Sequence, residues 1–111
     1  MREPRIALYS LDGRRVYDWR AHDHEAIFIA AIRPGSVSRA VFRIRNEDVG
    51  PLGDLRASST SRLVTIREMP RSLAMGFEGT LVFDLALPSD FAGESPDTVN
   101  IIFEGEVTGF L

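Results

Sequence analysis

Two histidines stand close together in a polar run, His22-Asp23-His24-Glu25. In an extended segment, side chains two apart point the same way. His22 and His24 could therefore share a cation, with Glu25 or Asp18 as a third ligand. The competing reading is a polar loop that joins an N-terminal hairpin to the first core strand. An H-x-H pair with no further histidine does not define a metal site by itself, so neither a metal nor another cofactor is expected. The hydroxyl run Ser58-Ser59-Thr60-Ser61 has no Gly-x-Ser-x-Gly elbow around it, and both histidines are far away in sequence. It reads as a solvated turn. Cysteine is absent, which excludes disulfides, zinc–thiolate sites and cysteine nucleophiles. No glycine-rich phosphate loop is present, and scattered acidic residues do not define a carboxylate pair across a cleft. The expected activity is not enzymatic.

Contact chemistry is better represented. All 13 basic residues are arginine, a pattern that a GC-rich coding sequence produces on its own. Arginine also makes bidentate contacts to carboxylates that lysine does not. Arg39, Arg43 and Arg45 fall on one side of a predicted strand. Such a row keeps a sheet soluble and guards it against edge pairing. It could equally dock an acidic partner. Tyr17 and Trp19 alternate in the hairpin with Arg14, Arg15 and Arg20 close by, an aromatic-plus-arginine composition favoured at interface hot spots. The alternative is that Trp19 packs onto the domain and closes its core. Phe110, in the apolar C-terminal Thr108-Gly109-Phe110-Leu111, either tucks back or inserts into a neighbour.

These residues must be held by strands. The segment SRAVFRIRN at 38–46 places Ala40, Phe42 and Ile44 on one side and Arg39, Arg43 and Arg45 on the other, the period of two expected of a half-buried strand. Residues 80–87 repeat it with Leu81, Phe83, Leu85 and Leu87 inward, and residues 98–107 do so with Val99, Ile101 and Phe103. Two shorter runs, LVTIR at 63–67 and AIFIAAI at 26–32, also read as strands. At the N-terminus, residues 6–11 and 14–19 flank Asp12-Gly13, a preferred type I′ hairpin turn. Loops rich in glycine and proline fall at 46–54, 69–79 and 88–97. Short strands punctuated in this way predict a sandwich or barrel.

The bulk numbers agree with one folded domain. The chain has 111 residues, 44% of them hydrophobic, and a formal charge of -3, which gives no reason to expect nucleic acid as a partner. The opening MREPRIALYSLDGRR lacks the apolar run of a secretory signal, and no segment approaches the ~18 apolar residues of a membrane span. A cytoplasmic protein without a membrane partner is expected.

From Phe28 onward the order of features resembles the Hydin-type (ASH) immunoglobulin-like domains. A first strand ends in Arg33-Pro34-Gly35-Ser36, and SRAVFRIRN ends in Asn46 with Pro51-Leu52 following. Val64-Thr65-Ile66, a turn from Leu73 to Gly76, the strand at 80–87 and a last strand opening Asp97-Thr98-Val99 come next. The likeness covers about residues 27–107. The chain departs from the pattern at Ile29, where a glycine usually follows the phenylalanine, and at Pro88, which lacks the usual Phe-x-Pro. The resemblance implies an all-β immunoglobulin-like sandwich of about seven or eight antiparallel strands and a role in binding proteins within larger assemblies. Similar sandwiches recur in accessory proteins of tailed-phage virions. The expected organisation is a hairpin arm at 1–25 and the sandwich at 26–111. The expected function is a non-enzymatic structural subunit, such as a virion accessory (decoration, head–tail or tail) protein assembled in the host cytoplasm. It would bind other protein subunits or copies of itself as a homo-oligomer. The alternative is a free-standing module that recognises a carbohydrate or peptide through loops such as 46–54 and 88–97 at one end of the sandwich.

Overall fold

The computed structural model describes residues 3–20, 26–28 (as backbone) and 31–108. His22, His24 and Phe110 lie outside these. In the described residues every regular element is a strand: β1 (Ile6–Tyr9), β2 (Arg15–Asp18), β3 (Ala26–Phe28), β4 (Val37–Asn46), β5 (Leu52–Ser58), β6 (Val64–Glu68), β7 (Glu78–Ala86), β8 (Thr98–Asn100) and β9 (Ile102–Val107). Among the described residues no helix is long and apolar enough to cross a membrane.

All pairings are antiparallel. One layer is a five-stranded sheet in the order β2-β1-β4-β7-β6, and the other is built from the ladders β3-β8 and β5-β9. Only Ile101 separates β8 from β9, so the two ladders share one C-terminal run of chain. The alternation in 38–46 and 80–87 sets the inner face of the five-stranded sheet. Phe42, Ile44, Leu81, Phe83 and Leu85 point inward and meet Leu52, Leu55, Val99, Ile101 and Phe103 from the opposite layer. Phe42 stacks on Phe83 within the sheet, and Tyr17 meets Phe103 edge-on across the core at 5.2 Å. The two layers thus bury one shared apolar seam, the packing of a β-sandwich.

The N-terminal hairpin is part of this structure. β1 lies between β2 and β4, with Leu8 registered against both Tyr17 and Ile44, and Ile6, Leu8 and Tyr17 belong to the common core. The hairpin therefore extends the sheet of its own chain. Its turn is not the expected two-residue type I′. Tyr9 pairs with Arg15, the Gly13 amide donates to the Ser10 carbonyl at 2.9 Å, and Gly13, unlike Asp12, has a positive φ of 90°. That is a type I turn closed by a left-handed glycine. The Ser10 hydroxyl favours this longer form because it holds both the Asp12 carboxylate and the Arg14 amide.

β5 was not visible as a strand in the sequence pattern. The shift between Gly53 and Arg56 places one extra residue opposite β9, and Asp54 adopts φ 50° there. The bulge puts the inward residues Leu52 and Leu55 three apart, which hides a period of two.

Candidate functional site

The side chains with contact chemistry gather at one end of the five-stranded sheet, where β4 ends and the hairpin's second strand runs out. A pocket of about 420 Å³ opens there, lined by Trp19, Arg45, Glu47, Asp48 and Met75 among others. Its frame is Asn46, which is buried. The Asn46 amide nitrogen donates to the Gly50 and Leu73 carbonyls, both at 3.0 Å, and its side-chain oxygen accepts from the Asp48 amide at 2.8 Å. One asparagine thereby ties the loop at 47–51 to the segment at 73–77. The Asn46 backbone reinforces the link, donating to Phe77 and accepting from Gly76.

Glu47 organises the hairpin side. Its carboxylate accepts from Arg15 at 2.7 and 3.2 Å, from the Trp19 indole at 3.2 Å and from the Tyr9 hydroxyl at 3.4 Å. The Arg15 guanidinium also donates to the Tyr9 hydroxyl and pairs with Asp18. The Glu47 hydrogen bond is the main reason the Arg15 pKa is raised above its ordinary value. Asp18 is held below the usual carboxylate range, first by the Arg20 amide and then by the Arg20 guanidinium. The guanidiniums of Arg5 and Arg20 lie over the Trp19 ring at 5.0 and 5.3 Å. The indole is thus a fixed, half-buried wall.

Three large apolar side chains remain on the surface of the two joined loops: Val49, Met75 and Phe77, exposed by 59%, 58% and 66%. Isolated exposed apolar residues are ordinary, but three on two loops pinned together beside an arginine-lined pocket are what an interface uses.

The residues singled out from sequence divide sharply. Trp19 and Arg45 line the pocket, and Arg15 supports it through Glu47. Tyr17 is only 4% exposed and packs on Phe103, so its ring serves the core and is not offered to a partner. The reason is register: opposite Leu8 it shares the inward face. Arg14 is exposed at the hairpin turn. Arg39 sits about 20 Å from Arg45 along β4, six residues at the strand rise. It is already engaged, making a two-toothed contact with Asp84 at 2.8 and 3.1 Å, while Arg67 binds the same carboxylate at 2.8 Å. Arg43 donates to the Leu11 carbonyl. The arginine row is therefore largely neutralised within its own sheet and is not a free basic strip.

Sequence reasoning missed Glu47, Met75, Phe77 and Asp84. Asp84 stands opposite Arg39 only once β4 and β7 are paired, and Met75 and Phe77 sit in a loop whose neighbours are set by Asn46. Among the described residues no group of three or more potential metal ligands comes together. The chain matches no protein-family model, and comparison with curated proteins and with solved structures returned no match.

Proposed function

We propose that this chain is a non-enzymatic, protein-binding subunit of a larger assembly, and that the end of the sandwich carrying Trp19 is its contact surface. The observation that carries this reading is the rigid pairing of two loops through Asn46, which leaves Val49, Met75 and Phe77 exposed, with Met75 in the pocket wall beside Trp19 and Arg45. Apolar and aromatic groups that are held in place lose little entropy on docking, so an interface of modest area can bind well. Of the assemblies that suit such a subunit, we favour a tailed-phage virion, in which an immunoglobulin-like accessory domain binds capsid or tail protein. This follows from the likeness of residues 27–107 to the Hydin-type sandwiches.

The test is fractionation of the chain expressed in its native host. The wild type should co-sediment with large particles, and the double variant Met75→Asp/Phe77→Asp should remain at the top of the gradient while still folded. A wild-type chain found only as a free monomer would refute the proposal.

A second reading has one observation in its favour. A wider groove of about 640 Å³ lies between Ile32, Pro34, Ser95 and Pro96, and the Ser95 hydroxyl accepts from the Ile32 amide at 3.1 Å. It would suit recognition of a carbohydrate or peptide. However, the loops at 46–54 and 88–97 lie at opposite ends of the sandwich, because β4 runs from the partner of Ala86 to the Asn46 end. They cannot form one shared site. A glycan and peptide array probed with wild type and Ile32→Asp decides this reading, which fails if both give the same pattern.

A further inference from the structure

The balance of donors and acceptors at the Trp19 end specifies the chemistry of what binds there. Each carboxylate oxygen of Asp18, Glu47 and Asp48 already accepts an N–H or O–H: Asp18 from Arg20 and Arg15, Glu47 from Arg15, Trp19 and Tyr9, and Asp48 from the amides of Arg5 and Val49. The guanidiniums are not matched in the same way. Among the described residues neither Arg45, which lines the pocket, nor Arg5, whose guanidinium lies over the face of Trp19, makes an ion pair or a side-chain hydrogen bond. A guanidinium carries five N–H donors and no acceptor. The pocket therefore keeps unmatched donors at Arg45, and the exposed Met75 stands in its wall.

We propose that this surface binds an acidic peptide segment of a partner protein, with one carboxylate forked onto Arg45 and an adjacent apolar side chain seated against Met75. The proposal rests on the protein-binding reading above and names the partner's chemistry. Arginine meets a planar carboxylate with two parallel hydrogen bonds, which fixes orientation as well as charge. Nucleic acid also offers acceptors. Here, though, the exposed, apolar Met75 in the pocket wall has no counterpart on a phosphodiester backbone. An apolar side chain flanked by carboxylates matches both halves of the surface.

The experiment uses the full chain and short fluorescent peptides with a central Leu, Met or Phe, flanked by acidic residues, by arginines or by serines. A poly-dT oligonucleotide is run alongside, and binding is read by anisotropy. The acidic peptides should bind, and added salt should weaken them. Arg45→Glu should raise their Kd by about tenfold or more. Arg33→Glu makes the same charge change at the far end of the sandwich and should leave binding unchanged. The proposal is overturned if acidic peptides bind no better than the other two sets, or if Arg33→Glu weakens them as much as Arg45→Glu. Tighter binding of poly-dT through Arg45 would also overturn it. Particle association is read separately, so its loss in the Met75→Asp/Phe77→Asp variant without acidic-peptide binding would end this inference and leave the protein-binding reading standing.

Discussion

Asp84 illustrates how a charged residue can sit almost fully covered on the outer side of a sheet. It lies on a central strand, and the guanidiniums of Arg39 on β4 and Arg67 on β6 close over it. Their hydrogen bonds, Arg39 first and then Arg67, lower its pKa from 3.8 to about 2. A carboxyl with a lower pKa in the folded state stabilises the fold above its unfolded value. That contribution is lost as pH falls through the folded value. Asp84→Asn should therefore melt at a lower temperature than wild type near neutral pH, and the gap should shrink between pH 3.8 and about 2. Thermal melts across that range check it, and a gap independent of pH would mean the ion pairs are not its source. Asn46 carries a different burden. Its replacement by alanine takes the Asn46 donor from the Gly50 carbonyl, one of two donors from the Leu73 carbonyl, which keeps the Leu52 amide, and the Asn46 acceptor from the Asp48 amide, all at a buried place. The expected cost is on the order of 3 kcal/mol in urea unfolding. Because Asn46 also joins the two loops, peptide or partner binding should weaken with it.

At the scale of the strands, the two edges of the five-stranded sheet share a feature. β2 bulges opposite the step from Leu8 to Tyr9, and β6 bulges between Ile66 and Glu68, where Arg67 is the extra residue. Bulged edges pair poorly with a further strand, so both guard the sheet against edge-to-edge aggregation. The free side of β5 is covered in part by the main chain of Arg71 and Leu73. On the proposed role, contact would then fall to the loop end and not to strand addition at these edges. Close approach also constrains β5 and β9. A Cβ at Gly105 would meet the Leu55 side chain at 2.8 Å, and one at Gly53 would meet Thr108 at the same distance. Leu55 is buried while Thr108 is exposed and can turn aside. Gly105→Ala should therefore cost about 1–3 kcal/mol and Gly53→Ala clearly less, as measured by denaturant unfolding.

These same irregularities mark what the sequence makes legible. β4 and β7 could be read directly because Phe42, Ile44, Leu81, Phe83 and Leu85 keep strict alternation. β5 could not, because its bulge breaks the spacing between Leu52 and Leu55. The candidate site was legible only where it lies on the hairpin and β4, at Arg15, Trp19 and Arg45. Glu47, Met75 and Phe77 belong to it through contacts between loops far apart in sequence, and no local pattern announces such contacts.

For the molecule as a whole, the hairpin is both wall and foundation. Ile6, Leu8 and Tyr17 fill the core, while Arg15 and Trp19 shape the pocket. Deleting residues 1–20 would strip two strands and three core side chains, so the truncated chain should fail to fold, with loss of its cooperative thermal transition. An arm that merely reached a neighbour would leave that transition intact. The two ends of the sandwich differ in kind. One carries the apolar rim with Arg45, and the other carries the groove near Ile32 and Pro96. The most direct measurement is site-specific photocross-linking in the native host, with the reactive group placed at position 75 or, at the opposite end, at position 94. The account predicts a discrete protein adduct from position 75 and none from position 94. Equal labelling from both ends, or no adduct from position 75, would contradict it.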